Sequence, residues 1–428
     1  MRKYLLLALV FLTSATAFTQ DFSNKGKDFW VAYGYHQVMG PTGTGANSQN
    51  MVLYFATDQV TNITITIPSI GFTQSLTSAA GNNVLTSITI PKVAPSDARL
   101  FTEGQSDKGI HITSDKPMVA YAHIYNSSVS GATILYPTNT LGREYYSVNY
   151  KNWSNSTNAN CWFYVIATDT GTTTIKIKPS GNTEGGWTAG TTYTVNLTQG
   201  QVYFVKASLT LNSGCGGATQ LPCTSFDLTG SLIQSTNNGS GCKKIAVFSG
   251  SGRISISCDN FASSSDNYMV QAMPKNAWGK KYLTVPAIGN QSNNIYRVCV
   301  SHPAAVVKIN GSVTALPLVN NFYYEIASTN QPQLIEADSA IMVAQYFTSQ
   351  NECGNGNPGD PEVIYLSAVE QSINRVLWNA TPNFAITTHG FNVVIPNAGT
   401  AISSFTLDGV TVPAASFTLH PQDVKYSI

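Results

Sequence analysis

Apolar and polar residues alternate with a period of two along most of this chain. Ile63-Thr64-Ile65-Thr66-Ile67 alternates strictly, as do Ile175-Lys176-Ile177-Lys178 and Val307-Lys308-Ile309. Each pattern reads as a strand buried on one face. Thr, Val, Ile, Tyr and Phe crowd these runs, whereas Gly, Asn, Ser, Pro and Asp gather between them. No window of helical length carries a stripe at helical spacing, so the pattern predicts an all-β fold.

The pattern also repeats. A run at 52–58 followed by one at 62–68 returns at 163–169 with 172–179, at 295–301 with 305–311, and more loosely at 391–396 with 403–409. Each reads as a hairpin. A second hairpin is expected after each of the first three, at 109–121, 230–250 and 332–347, trailed by a linking stretch such as Leu141-Gly142-Arg143-Glu144-Tyr145-Tyr146 or Trp278-Gly279-Lys280-Lys281-Tyr282. Residues 18–428 thus form one repetitive region, with units at about 26–150, 151–285 and 286–380 and a partial unit at 381–428. A stop inside a repeat suggests a fragment or a natural truncation, because an unpaired terminal edge is a liability. Two architectures bury such strands. Repeated four-stranded meanders set radially make a β-propeller-like fold, and tandem β-sandwich domains are the alternative. The short hydrophobic linkers favour the propeller.

The N-terminus sets the compartment. Arg2 and Lys3 precede an apolar run of nine, Tyr4 to Leu12, and Ala15-x-Ala17 stands at cleavage distance. Residues 1–17 read as a signal peptide, since nine helical residues span only ~14 Å. After Ala17 no stretch has the ~18 apolar residues of a spanning helix, so the product is expected to be secreted, extracellular or at the cell surface. Only 11% of residues are charged and the net charge is +1, which gives no footprint for a phosphate backbone and excludes nucleic acid as a partner.

Seven cysteines then lie in a disulfide-permissive setting. Lys244 to Phe248 and Arg253 to Ser257 flank Ser249-Gly250-Ser251-Gly252. A hairpin about that turn would place Cys242 opposite Cys258. Cys215 and Cys223 make a second candidate pair. No C-x-x-C occurs, so a zinc site is not indicated.

The segments GIHITSDKPMVAYAHIY (109–125) and TILYPTNTLGREYYSV (133–148), with Gly359-Asp360-Pro361-Glu362 and Val369-Glu370-Gln371, resemble the N-terminal region of IgGFc-binding protein and its bacterial secreted relatives. The resemblance runs from about Gly26 to the C-terminus. It implies a secreted, repetitive β-rich binding region, associated in animals with mucus and immunoglobulin Fc binding and in bacteria with exported surface proteins. The animal protein's self-cleaving Gly-Asp-Pro-His sequences belong to other domains, and Glu362 stands here in place of the His, so no autocleavage is expected. Fc binding is tied to no residue that carries over.

The remaining motifs weigh against catalysis. Gly354-x-Gly356-x-x-Gly359 matches a dinucleotide fingerprint literally, but Pro358 and Pro361 bracket its last glycine and a β-run follows, so it reads as a loop. His111 and His123, on the arms of one expected hairpin, lack a third ligand. Glu336 with Asp338, and Asp360 with Glu362, do not define a glycosidase pair. The loop from Asn351 to Asp360 has oxygen donors without calcium-ligand spacing. Sequons begin at Asn62, Asn126, Asn152, Asn155 and Asn196 and mark surface turns. Trp153, in the polar stretch 150–158, is the candidate partner-binding residue.

The sequence therefore points to an extracellular non-catalytic binding or adhesion module, with no cofactor or metal, that presents loops to a protein or mucin-like glycan. A secreted carbohydrate-active β-propeller enzyme would differ by an open cleft with two carboxylates ~5–9 Å apart. A structural surface spacer would show no saturable ligand.

Overall fold

The computed structural model describes residues 24–40, 46–79, 86–210, 215, 223–237, 239, 241–259, 264–357, 359–378 and 389–428. The signal-peptide reading of 1–17 lies outside them. The described residues are all-β, and their helical turns are three-residue 3-10 turns.

The first set of strands is β1 (Gly26–Val31), β2 (Asn50–Ala56), β3 (Thr61–Ile67), β4 (Phe72–Ser78), β5 (Thr86–Thr89), β6 (Ile110–Tyr125) and β7 (Ser130–Ile134). The 16-residue β6 is its spine. The first half of β6 pairs with β1 and β3, the second half with β7 and β2, while β4 and β5 complete the outer edges. Two four-stranded antiparallel sheets therefore share one strand, in the orders β1-β6-β3-β4 and β7-β6-β2-β5. Alternation does the rest. Ile63, Ile65, Ile110 and Ile112 from one sheet join Leu53, Phe55, Ala120 and Ala122 from the other in a single core.

The same scheme recurs twice. The second set comprises β8 (Glu144–Tyr146), β9 (Cys161–Ala167), β10 (Thr173–Lys178), β11 (Tyr193–Leu197), β12 (Val202–Lys206), β13 (Leu232–Thr236), β14 (Ile245–Ile254) and β15 (Asp266–Gln271). Its sheets run β8-β13-β10-β11 and β15-β14-β9-β12, the latter extended beyond β12 by Gly104–Ser106, with the spine divided into β13 and β14. The third set comprises β16 (Gly279–Leu283), β17 (Asn294–Val300), β18 (Val307–Ile309), β19 (Ser312–Val313), β20 (Tyr323–Thr329), β21 (Leu334–Phe347) and β22 (Glu362–Tyr365). There β21 is the spine between β16 and β18 and again between β22 and β17.

These orders are not the sequential meanders of propeller blades. They correspond to the alternative of successive two-sheet sandwiches. Runs read as first hairpins, such as β2 with β3, pair with different halves of a spine and so lie in different sheets. The runs read as second hairpins at 109–121 and 332–347 lie in single long strands, and the one at 230–250 is the divided spine β13 and β14, whose halves lie in different sheets. The linking stretches are first strands of the next set: Gly26, Gly142 and Gly279 each meet the residue before a 3-10 turn, and an added Cβ would lie 2.1, 2.4 and 2.2 Å from Cβ of Pro137, Pro274 and Ala368.

The proposed Cys242–Cys258 bridge is corrected for the same reason. Ser249-Gly250-Ser251-Gly252 is the interior of the ten-residue β14 rather than a turn. The two cysteines flank its opposite ends, on the order of 30 Å apart at ~3.3 Å per residue. The glycines make room for rings: a Cβ at Gly250 would fall 2.3 Å from Trp162 Cζ2, and one at Gly252 2.7 Å from Tyr35 Cδ1. Cys258 is bonded instead to Cys353, Cys215 is bonded to Cys223, and Cys242 is a free thiol.

Contacts between sets explain the strands that lack alternation. Every residue of β9 is buried. Phe163 and Val165 face the second core, while Trp162 and Tyr164 join the first. The chain just after β1 covers them: Trp162 Nε1 donates to the Tyr35 carbonyl at 2.8 Å, and the Tyr164 hydroxyl bonds to Ala32. Val148 and Tyr150, just after β8, cover the third set in turn.

Candidate functional site

Trp153 stands at the junction of the second and third sets. The segment carrying it leaves the shared core at Tyr150, and Asn152–Ser154 then pairs with Cys223–Ser225. The carbonyl of Trp153 accepts a 2.6 Å bond from the Ser255 N–H. Expected in a loop, Trp153 thus sits in a short strand, half-buried. The Lys151 ammonium lies 4.0 Å from its ring centroid and 5.9 Å from that of Tyr150, a cation–π contact of about 0.5–1 kcal/mol at such sites. Burial depresses the Lys151 pKa, opposed by nearby Glu325. Trp153 is opposite Thr224 and Ser154 opposite Cys223, so strand alternation points Cys223, bonded to Cys215, to the face away from the tryptophan.

A buried arginine forms the floor. Arg297 is 1% exposed; its Nη1 donates to the Asn149 carbonyl at 3.0 Å and to Asp227 Oδ2 and Thr229 Oγ1, both at 2.7 Å, and its Nε donates to Glu325 Oε2 at 2.9 Å. The Tyr150 and Tyr323 rings lie 4.5 and 4.3 Å from the guanidinium carbon. Burial opposes this charge, but Asp227 leads the groups that raise the Arg297 pKa above its usual value. Asn149, Asp227 and Thr229 come from the second set, and Arg297, Tyr323 and Glu325 from the third. Side chains of Asp227 and Glu325 keep 19% and 33% exposure, so both carboxylates reach the rim beside Lys151.

Sequence reasoning missed Lys151, Asp227, Arg297 and Glu325 because they are scattered and share no motif. One signal was available. Arg297 is the lone charge in the otherwise uncharged strand Asn294–Val300, and a buried charge demands partners.

The other candidates separate. His111 and His123 occupy one strand, twelve residues and roughly 40 Å apart. His111 stacks on Trp30 and bonds Asp28 at 2.9 Å, whereas His123 bonds Tyr54 and Ser130 at 3.3 and 2.9 Å. Among the described residues no group of three or more His, Cys, Asp or Glu side chains is placed to hold a metal. Asn152 of the sequons is buried, with Oδ1 accepting from Ser251 at 2.8 Å, while Asn62 and Asn196 are exposed on strands. Gly354, Gly356 and Gly359 lie in an irregular segment that enters β22.

A groove of about 450 Å³ is lined by Asp97, Arg99, Phe101, Glu103 and Lys108 among others. Its carboxylates are engaged. Asp97 takes two 2.9 Å bonds from Arg99, and Glu103 accepts from Thr183 Oγ1 at 2.8 Å and the Lys206 N–H at 3.0 Å. Glu336 is within 3.7 Å of Lys281, and Asp338 accepts from the Val306 N–H at 3.0 Å. Each of these carboxylates is already engaged by a hydrogen bond or an ion pair.

Residues 131–428 match the family described as IgGFc binding protein, and since this is most of the chain, the chain belongs to that family. Membership points to an extracellular binding module. Searches of curated proteins and of solved structures found no match. Among the described residues, no helix is long and apolar enough to cross a membrane.

Proposed function

We propose that the protein is a secreted, non-catalytic binding module that engages a protein or mucin-like glycan partner through the rim around Trp153. The observation that carries this reading is the half-exposed Trp153–Lys151 pair, flanked by Asp227 and Glu325 and anchored on buried Arg297. Aromatic and cationic side chains on a preorganised base dominate binding energies because they lose little freedom on contact. The family's description supports the same reading.

The test is an array of intact mucins, deglycosylated mucins and immunoglobulin fragments probed with the mature protein. Saturable binding that falls at least tenfold in Trp153→Ala and Lys151→Ala is expected. Deglycosylation separates a sugar ligand from a protein one. Binding indifferent to both substitutions moves the site elsewhere, and a blank array overturns the binding-module reading.

A further inference from the structure

The groove lined by residues 97–108 shares no residue with the Trp153 rim and opens where the first set meets the second. Within that stretch Gly104–Ser106 pairs with Val202–Phe204 of β12, so one wall is fixed to the second set. The other is fixed to the first: Arg99 Nη1 donates to the Met39 carbonyl at 2.8 Å, and the Leu100 N–H to the Tyr33 carbonyl at 3.1 Å. The Phe101 ring lies 5.7 Å from that of Tyr35 and 5.8 Å from the Lys206 ammonium. At about 450 Å³ the space falls within the ~300–1,000 Å³ of small-molecule sites.

Its charges cancel. Arg99 and Lys108 formally balance Asp97 and Glu103, so the groove has no net field with which to select an ion. What it holds in surplus is an aromatic face and hydroxyl-binding capacity. Phe101 is 38% exposed. Lys108 uses one ammonium hydrogen on the Arg99 carbonyl at 2.8 Å, and Thr102 is exposed. Ser106 is half-buried, and its Oγ is buried without a hydrogen-bond partner among the described residues. A buried hydroxyl in that state calls for an explanation. Rotation about χ1 carries it toward the groove and breaks no bond.

We propose that this groove is a second binding site and that its ligand is an uncharged sugar residue. A pyranose presents an apolar C–H face, which stacks on a flat ring such as Phe101, and a rim of hydroxyls that both donate and accept. Those hydroxyls meet the Ser106 and Thr102 hydroxyls, the spare Lys108 hydrogens and the remaining carboxylate lone pairs of Asp97 and Glu103. An anion would gain Lys108 but be opposed by both carboxylates. A purely apolar ligand would leave all of these groups unpaired. The walls are bonded before the ligand arrives, so little order is lost on contact.

The test is a saturation-transfer NMR titration of the full chain. The probes are galactose, glucose, N-acetylglucosamine and N-acetylgalactosamine, with anionic N-acetylneuraminic acid and cationic glucosamine beside them. Saturable millimolar binding of at least one neutral sugar, tighter than that of either charged one, is expected. Phe101→Ala should weaken it about tenfold and Ser106→Ala about threefold, whereas Phe101→Tyr, which keeps a flat ring, should bind like wild type. Ser106→Ala removes no hydrogen bond from the protein and should leave its thermal unfolding unchanged. No saturation by any neutral sugar, preference for a charged one, or wild-type binding by Phe101→Ala overturns the proposal. So does a Phe101→Tyr protein as weak as the alanine variant, because stacking is then not the contact. Trp153→Ala should leave the titration unchanged. If it abolishes sugar binding, the sugar sits at the other junction and the groove is not its site. Phe101→Ala should in turn spare the Trp153-dependent partner, so the two readings fail separately.

Discussion

Gly250 lies in the middle of a strand, where glycine ordinarily weakens pairing. A Cβ there would fall 2.3 Å from Trp162 Cζ2 and 2.5 Å from the Tyr268 carbonyl oxygen. Because Trp162 is fully buried, neither neighbour yields easily. Gly250→Ala is expected to lower stability by about 1–3 kcal/mol in urea unfolding, and a neutral result would mean that the Trp162 ring can move. Asp266 carries a second residue-scale effect. Burial lifts its carboxyl to about 8, against N–H bonds from Ser130 and Asn267, while Asp360 adds to the rise and Arg253 opposes it. Neighbouring Glu362 is raised too, chiefly by burial. The folded state keeps a proton that the unfolded chain has released, so this stabilisation is complete below about pH 4 and lost as pH rises through 8. His36 and His123, lowered to about 4 by burial, act oppositely: their contribution is present above about pH 6.5 and lost as pH falls toward 4. Between pH 6.5 and 8.5 the carboxyls therefore set the slope. Stability should fall by about 1–2 kcal/mol there, and Asp266→Asn should reduce that slope. An unchanged slope in the variant would remove Asp266 as its source.

At the scale of elements, period-two alternation located most strands, because a strand buried on one face must alternate whatever it pairs with. Pairing was not legible in the same way. The polar middle of β6, Ser114-Asp115-Lys116-Pro117, has turn chemistry, yet it is where one strand passes between two sheets, and Asp115 there accepts bonds from Asn62 N and Nδ2 at 2.8 and 3.0 Å. A turn and a sheet crossing use the same residue types, and only the partner strands distinguish them. The cysteines inherited that ambiguity. Cys258–Cys353 spans 95 residues and fastens the chain beyond β14 to the segment after β21, alongside a 3.0 Å Ser255–Ser349 hydroxyl contact. Replacing both cysteines by serine is expected to lower stability by about 2–5 kcal/mol. Cys242→Ser, at a free and partly exposed thiol, should change it by less than about 0.5 kcal/mol. Comparable losses in the two variants by denaturant unfolding would restore Cys242 as a structural residue.

Across the whole molecule, the decisive feature is that the sets share cores rather than hang on linkers. Trp162 and Tyr164 of the second set complete the first core, and Tyr150 of the second helps to complete the one under the third. Hydrophobic linkers were legible and did imply continuous burial; that the burial joins consecutive sandwiches depends on long-range partners absent from any local window. Arg297 is the clearest case, since its ligands at 149, 227, 229 and 325 meet only after both sets have formed. Such a pin adds little net stability over a well-packed apolar residue, but removing it alone strands two carboxylates and an open carbonyl at the junction. Arg297→Ala is therefore expected to cost about 3–5 kcal/mol and to split one calorimetric transition into two, the third set melting first. Arg297→Met, which fills the space between Tyr150 and Tyr323 without pairing Asp227 or Glu325, should fall between wild type and alanine. If alanine unfolds in a single transition at unchanged temperature, the junction is held by its aromatic contacts alone, and the Trp153 rim has lost its fixed floor.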